Sequence, residues 1–412
     1  MRFIPVIAIS VILFNCSSPT TGDLKTGTWR GVIELQNKQL PFTFRVTRDS
    51  ANGYDVWIQN GNENLLLDEV TFANDSIDFT LHVFDAQLRA AISGDSLNGY
   101  FILNYRTDYR LPFKAVFGQT FRFRPVDSTL TSPTPFSGTY QVVFANDKDT
   151  THAIGLIRQQ GTYATGSFLT PTGDYRYLEG GVFNDTLWLS TFDGNHAYLF
   201  NATLTSDSSI SGNYWAGRSF HQTFTGIQNP NASLPDPESL TYLKPGLETL
   251  SFSFPDVDGK PVRLTDERFK GKVVVVQIFG TWCPNCMDET KFLTGWHSRN
   301  HHRGVEVLGL AFERKADFTY ASDRVKKMQA KWQVPYPLLI GGVDDKAKAS
   351  EALPELNRVV AFPTTIFVGK DGKVKHIHTG FEGPGTGIYH QQFVEQFNER
   401  INELLAEDSP FQ

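Results

Sequence analysis
Three short motifs in the first half of the chain recur at nearly the same distance. GTW at 27–29 returns as GTY at 138–140, NDSI at 74–77 returns as NDTL at 184–187, and Gly99 beside Tyr100 returns as Gly212 near Tyr214. The offsets are 111, 110 and 113 residues. So constant a spacing marks a duplicated structural unit. Between the motifs lie short runs rich in Phe, Tyr, Val, Ile and Thr, divided by Asn, Asp and Gly turns, with no helical period. Residues 27–229 are therefore expected to be all β, in two copies at 27–125 and 137–229, each a small sandwich or barrel. A single merged sheet is the alternative.

Two Pro- and Ser-rich breaks frame the copies, RPVDSTLTSPTPFSG at 124–138 and NPNASLPDPESLTYLKPG at 229–246. Such stretches act as semi-extended spacers, which places linkers at 126–136 and 230–246. The pattern then changes over 247–412. An apolar strand, KVVVVQIF at 272–279, is followed by helical spacing from Pro284 through Met287, Leu293 and Trp296, and then by a second apolar strand, VEVLGLAF at 305–312. Strand, helix and strand in that order make a βαβ unit. Helices are expected near 320–333, before Arg358 and over 388–406, with strands at 336–340, 364–368 and 374–379. The fold class is multi-domain, a duplicated all-β N-terminal region followed by a C-terminal α/β domain.

The first fifteen residues, MRFIPVIAISVILFN, carry one Arg ahead of an apolar core too short to span a bilayer. They are expected to be an export signal, with a tether at 16–26. Cys16, followed by Ser17 and Ser18 and preceded at three positions by Leu13, resembles a bacterial lipoprotein site, although Asn15 departs from the usual small residue. Lipidation of Cys16 would anchor the chain to a membrane; an ordinary secretory signal is the alternative. Either reading puts the mature protein outside the cytoplasm. A formal charge of −6 gives no reason to expect nucleic acid.

Of the three cysteines, Cys16 aside, only Cys283 and Cys286 remain, both within WCPNC at 282–286. A loop so small makes a poor staple, worth about 2 kcal/mol in the loop-entropy view. A helix N-terminus offers free N–H groups and positive potential to the first sulfur, and so favours its thiolate. Cys283 is the expected nucleophile and Cys286 the resolving thiol. A half zinc site is the competing reading, and no second cysteine pair supports it.

GKVVVVQIFGTWCPNCMDE at 271–289, with AFPTTIFVGKDGKV at 361–374, resembles thiol-disulfide oxidoreductases of the TlpA and ResA type, in the thioredoxin superfamily. The resemblance runs from about Leu247 to the C-terminus and implies a thioredoxin-like fold with no cofactor. It matches Pro363 to the family's cis-proline facing the cysteine pair, with Phe362 before it lining the substrate groove. It matches Glu289 to an acid beside the pair that exchanges a proton with Cys286; a solvated glutamate in the first helical turns is the alternative. Gln277 falls where a neutral amide would bond nearby backbone or water. Trp282 either shapes the apolar apron around Cys283 and contacts substrate, or only packs.

No metal is expected. His297, His301 and His302 lack a third ligand in pattern and read as a wet helix end, and His376 and His378 only share a strand face. The stretch FEGPGTG at 381–387 lacks a phosphate-loop signature and reads as a turn before the last helix. The leading functional expectation is a reductase of the cell envelope. It would take electrons from a membrane thiol donor and pass them to disulfides of exported proteins, with an oxidase or isomerase role left open. A peroxidase would need Thr or Ser where Gly280 stands. A third reading makes the β units a surface binding module that displays Trp57, Trp188 and Trp215.

Overall fold
The computed structural model describes residues 24–73, 76–125 and 134–408. The expected signal at 1–15, Cys16 and residues 126–133 of the first linker lie outside the described residues. Among the described residues both β copies have nine strands, from Gly27–Leu35 to Arg110–Phe117 and from Gly138–Ala145 to Phe220–Gln228. Counted within each copy, the lateral order is 4-3-2-1-9-8-7-6-5 in the first and 2-1-9-8-7-6-5-3-4 in the second. The difference is one pairing. In the second copy the third strand, Tyr163–Thr170, pairs with both Thr150–Gln160 and Leu178–Phe183, which closes an eight-stranded barrel. In the first, the third strand, Tyr54–Asn60, pairs with Lys38–Arg48 and the short Glu63–Leu66, and the sheet stays an open half-barrel.

The recurring motifs have physical reasons. Asn184 and Asp185 adopt φ of 49° and 57° in the two-residue turn joining Leu178–Phe183 to Thr186–Phe192. Tight hairpins need that left-handed pair, and Asn and Asp supply it at low cost. At Gly99 and Gly212 a Cβ would collide with the carbonyl oxygens of Arg89 and Asn201 on the neighbouring strand. Only glycine lets the strands approach so closely.

The barrel is filled by its own aromatics, among them Phe144, Phe168, Phe200, Tyr214 and Phe224. The half-barrel is not self-sufficient, because its core includes Phe192, Ala197, Leu199 and Trp215 from the outer wall of the barrel. Phe192 is fully buried, with ring centroids 4.7 Å from Phe42 and 5.0 Å from Phe101. The strand Thr186–Phe192 therefore sends Leu187 and Leu189 into one core and Phe192 into the other, as side-chain alternation permits. Trp215 is accordingly buried, with Lys38 over its ring, and Trp188 packs on Phe123. Trp215 does not stand free for a ligand, whereas the half-buried Trp188 lines a surface cavity of about 470 Å³ and Trp57 one of about 330 Å³ where the copies meet the last domain.

The C-terminal domain has a five-stranded sheet ordered Leu338–Val343, Val305–Glu313, Val273–Phe279, Thr364–Val368, Val374–Thr379. The first three are parallel and the last two antiparallel. Every residue of the central strand Val273–Phe279 is buried, as an apolar run interrupted only by Gln277 demands of a strand covered on both faces. Among the described residues four helices cover the sheet: α1 (Pro284–Asn300), α2 (Phe318–Trp332), α3 (Lys346–Ala352) and α4 (Ile388–Ala406). The 230–246 segment is not a free spacer. Lys244 N–H donates to the Glu355 carbonyl at 2.8 Å, Leu243 bridges to Leu356, and Glu238 pairs with Arg400 and His376.

Candidate active site
The central strand ends at Phe279, and the chain turns through Gly280, Thr281 and Trp282 into α1. Cys283 is the N-cap of α1 and Pro284 its first helical residue, where a missing N–H costs nothing. The two cysteines are joined as a disulfide, with Cys283 Sγ accepting the Cys286 N–H at 3.2 Å. The helix N-terminus thus points its free donors at the first sulfur. Cys283 Sγ also lies 3.4 Å from the carbonyl oxygen of Phe362, and the Phe362-Pro363 bond is cis. Phe362 is buried and meets the Trp282 ring edge-to-face at 5.5 Å and the Phe312 ring at 5.8 Å. The sequence-read residues Trp282, Cys283, Cys286, Phe362 and Pro363 therefore converge on one spot.

Glu289 lies one turn beyond Cys286 and is fully buried, not solvated. Its carboxylate accepts Thr365 Oγ1 at 2.6 Å and Gln277 Nε2 at 2.8 Å. The same Gln277 amide donates to the Cys286 carbonyl at 3.2 Å, and its oxygen accepts Thr290 Oγ1 at 3.0 Å. Gln277 thus ties the acid to the backbone of the second cysteine. Burial pushes the Glu289 carboxyl up to about 7, against the opposing pull of its two hydrogen bonds.

A second buried acid, which the sequence reading missed, lies on the other side of the pair. Glu313 ends the strand Val305–Glu313 and accepts both the backbone N–H and the hydroxyl of Thr281, each at 2.8 Å. Burial lifts its carboxyl to about 7 as well, over the lowering effect of those bonds. A charge closing the apolar stretch 307–312 was its one sequence signal. Also unforeseen is the clamp on Trp282. Its indole N–H donates to the Phe312 carbonyl at 2.8 Å, Arg314 lies 4.4 Å from its ring, and Arg314 in turn lies 4.4 Å from the Tyr105 ring of the half-barrel.

The barrel reaches the residues that flank and separate the two cysteines. Asn195 Nδ2 donates to the Trp282 carbonyl at 3.0 Å, and Asn285 Nδ2 donates to the Asp174 carbonyl at 3.0 Å. Arg176 Nη1 donates to the Pro284 carbonyl at 2.9 Å and pairs with Asp288. The turn at 381–387 leads into α4 as expected, and it too docks on the barrel, Gly383 N–H donating to Asp174 Oδ2 at 2.7 Å.

His297 is not on a wet helix end. It is buried against Tyr336, its ring 5.3 Å from that of His301, and burial holds it below the usual histidine range. His378 is buried beside Glu382, and His376 faces Glu238. Among the described residues no cluster of three or more His, Cys, Asp or Glu is set to hold a metal ion.

The Redoxin family model matches residues 244–391. The thiol-disulfide oxidoreductase ResA of Bacillus thuringiensis subsp. konkukian is 31% identical over 165 residues, 40% of this chain and 79% of that protein. ResA of Geobacillus thermodenitrificans is 31% identical over 130 residues, 31% of this chain and 66% of its own. Among solved structures, a thioredoxin-family thiol:disulfide interchange protein from Chlorobium tepidum matches 39% of this chain and 96% of its own, at 22% identity and a TM-score of 0.30. On the ResA match and the cysteine pair's setting, the chain is an enzyme that belongs to the ResA family of thiol-disulfide oxidoreductases.

Proposed function
We propose that this oxidoreductase is an extracytoplasmic disulfide reductase in which Cys283 attacks and Cys286 resolves. The observation that carries the assignment of roles is the asymmetry of the pair. Cys283 Sγ caps α1 and faces the Phe362 carbonyl, whereas Cys286 is fully buried with Glu289 linked to its backbone through Gln277. In the reduced chain, the Cys283 thiolate attacks one sulfur of a substrate disulfide. That S–S bond breaks, a mixed disulfide forms and the first substrate thiolate leaves and is protonated. Cys286 passes its proton to the Glu289 carboxylate and attacks Cys283 Sγ, which releases the second substrate thiolate. The substrate has gained two electrons, and the pair is left as its disulfide, to be reduced again by a membrane thiol donor. An acid near 7 suits both halves of that proton exchange at neutral pH.

Trp282, Phe362 and Pro363 form the apolar wall against which the substrate peptide lies, the backbone beside Pro363 pairing with it as an added strand. The substrates are disulfide-containing proteins of the cell envelope. Cys16 is the lipid anchor, following the signal at 1–15, and among the described residues no helix is long and apolar enough to cross a membrane. The units run 27–125, 137–229 and 247–412.

Trapping tests the assignment. A Cys286→Ser variant lacks the resolving thiol, so envelope proteins are expected to accumulate on Cys283 as mixed disulfides, released by dithiothreitol. Adducts that persist when Cys283→Ser is added to that variant would overturn it. Equilibration with glutathione tests direction. A potential well below about −180 mV is expected, and one near about −120 mV would make the enzyme an oxidase.

A further inference from the structure
We propose that the barrel is a working part of the redox site, with Arg176 as a positioning residue that holds the first turn of α1 and sets the charge around Cys283. The proposal rests on the Cys283 and Cys286 roles given above.

The barrel touches the residue before the pair and both residues between its cysteines. Asn195 holds the Trp282 carbonyl, Arg176 the Pro284 carbonyl, and the Asp174 carbonyl holds the Asn285 amide. Arg176 is the centre of this junction and is 4% exposed. Its guanidinium spans three parts of the molecule: Glu63 of the half-barrel, Asp193 of the barrel at 3.6 Å, and Asp288 with the Pro284 carbonyl on α1. A planar fork can do this, and a lysine cannot. The backbone also points to a specific placement. Arg176 sits at φ 59°, an uncommon conformation for a side chain of this size, where its own N–H donates to Asp174.

The charge balance gives the junction a chemical consequence. Asp193 is held low, burial being outweighed by His196 and Arg176, so it is an anion. Asp288 faces both Arg176 and Lys291. Burial raises Glu63 and lifts Asp174 to about 7, each opposed by Arg176. On the far side of Cys283 the facing groups are Glu313 through Thr281, Arg314 over Trp282, and Glu289 through Gln277. Removing the guanidinium leaves buried carboxylates uncompensated at the turn that must favour a thiolate. The thiolate is then disfavoured and the reduced pair destabilised relative to its disulfide.

The test compares full-length wild type with Arg176→Gln and Asp288→Asn, reading alkylation of reduced Cys283 against pH and equilibrium with glutathione. Arg176→Gln is expected to slow alkylation at pH 7 by about threefold or more, move the profile to higher pH and shift the glutathione equilibrium about tenfold toward the enzyme disulfide, ~30 mV more negative for a two-electron couple. Asp288→Asn should move both readouts the opposite way, and Arg176→Lys should recover the profile in part. If the folded variants keep the wild-type profile and potential while losing only thermal stability, Arg176 is merely structural and the proposal is overturned. If Arg176→Gln does not fold, the Asp288→Asn shift decides alone, and its absence overturns the proposal. A wild type whose Cys283 neither alkylates nor exchanges with disulfides would instead sink the underlying reading of the redox pair.

Discussion

The two β copies share nine strands and their connections, yet they grip the redox domain in different places. The turn between the sixth and seventh strands shows this best. In the half-barrel that turn brings Asp85 to the Tyr320 hydroxyl at 2.9 Å and the His82 carbonyl to Arg324 at 2.6 Å, both on α2. In the barrel the equivalent turn holds Asp193, Asn195 and His196, and Asn195 bonds the carbonyl of Trp282. Duplicated ends thus divide the work: one copy fastens the scaffold, the other the redox turn. The short fourth strands instead converge, since Glu63 of one copy and Arg176, just past the fourth strand of the other, meet as an ion pair beside Pro284. A duplication that preserves strand order leaves the loops free to acquire separate tasks.

The largest expected effect lies in the copies' unequal independence. Phe192→Ala should destabilise by about 3–5 kcal/mol, as large aromatic truncations in closed cores do. Because Phe192 fills the half-barrel rather than the barrel, amide exchange should accelerate in residues 27–117 while the strands around Phe144 and Phe224 stay protected. Uniform loss of protection across both copies would show that closure confers no independence.

Next is the response to pH. Glu289 and Glu313 sit near 7 when folded and near their ordinary 4.5 when unfolded. Between those values the folded chain binds protons that the unfolded chain has released, so stability falls as pH rises from about 4.5 to 7. Asp174, on the barrel side of the junction, adds to the same slope. Thermal melts should show the fall, and Glu289→Gln should flatten it and gain about 1–3 kcal/mol above pH 7. Stability that rises through this window would contradict the burial of these acids.

The smallest effect separates the two grips most cleanly. Tyr320→Phe and Asn195→Ala each remove one hydrogen bond between a β copy and the redox domain, and each should cost about 1 kcal/mol. Only Asn195→Ala should also change the alkylation rate of Cys283. Equal effects of the two on that rate would erase the distinction between scaffold grip and redox grip.

How much of this could be read in the chain depended on the range of the forces involved. Local patterns were readable: the apolar run 273–279 made a buried central strand, Pro284 began α1, and the spaced Gly and Asn-Asp motifs revealed the duplication. Cys283, Cys286, Glu289, Phe362 and Pro363 came together because their motif carries its geometry within a few residues or across one strand pair. Contacts between distant segments left no such trace. Arg176 and Pro284 are 108 residues apart, and no period or spacing marks either as the other's partner. The same holds for closure of the barrel, which depends on whether Tyr163–Thr170 finds Leu178–Phe183 across a two-residue fourth strand. His297 was misjudged as solvated for a related reason. A polar residue on a helix is exposed only if nothing packs there, and the sheet beneath α1 is a tertiary fact.

The strand Thr186–Phe192, which feeds two cores, has a consequence for the order of assembly. A chain made from its N-terminus finishes the half-barrel's last strand at Phe117, but the ring that plugs that sheet is residue 192, so 75 further residues must emerge first. Until then the first copy is a curved sheet with an apolar mouth, the kind of surface that invites wrong partners. Its maturation is therefore timed by its own duplicate.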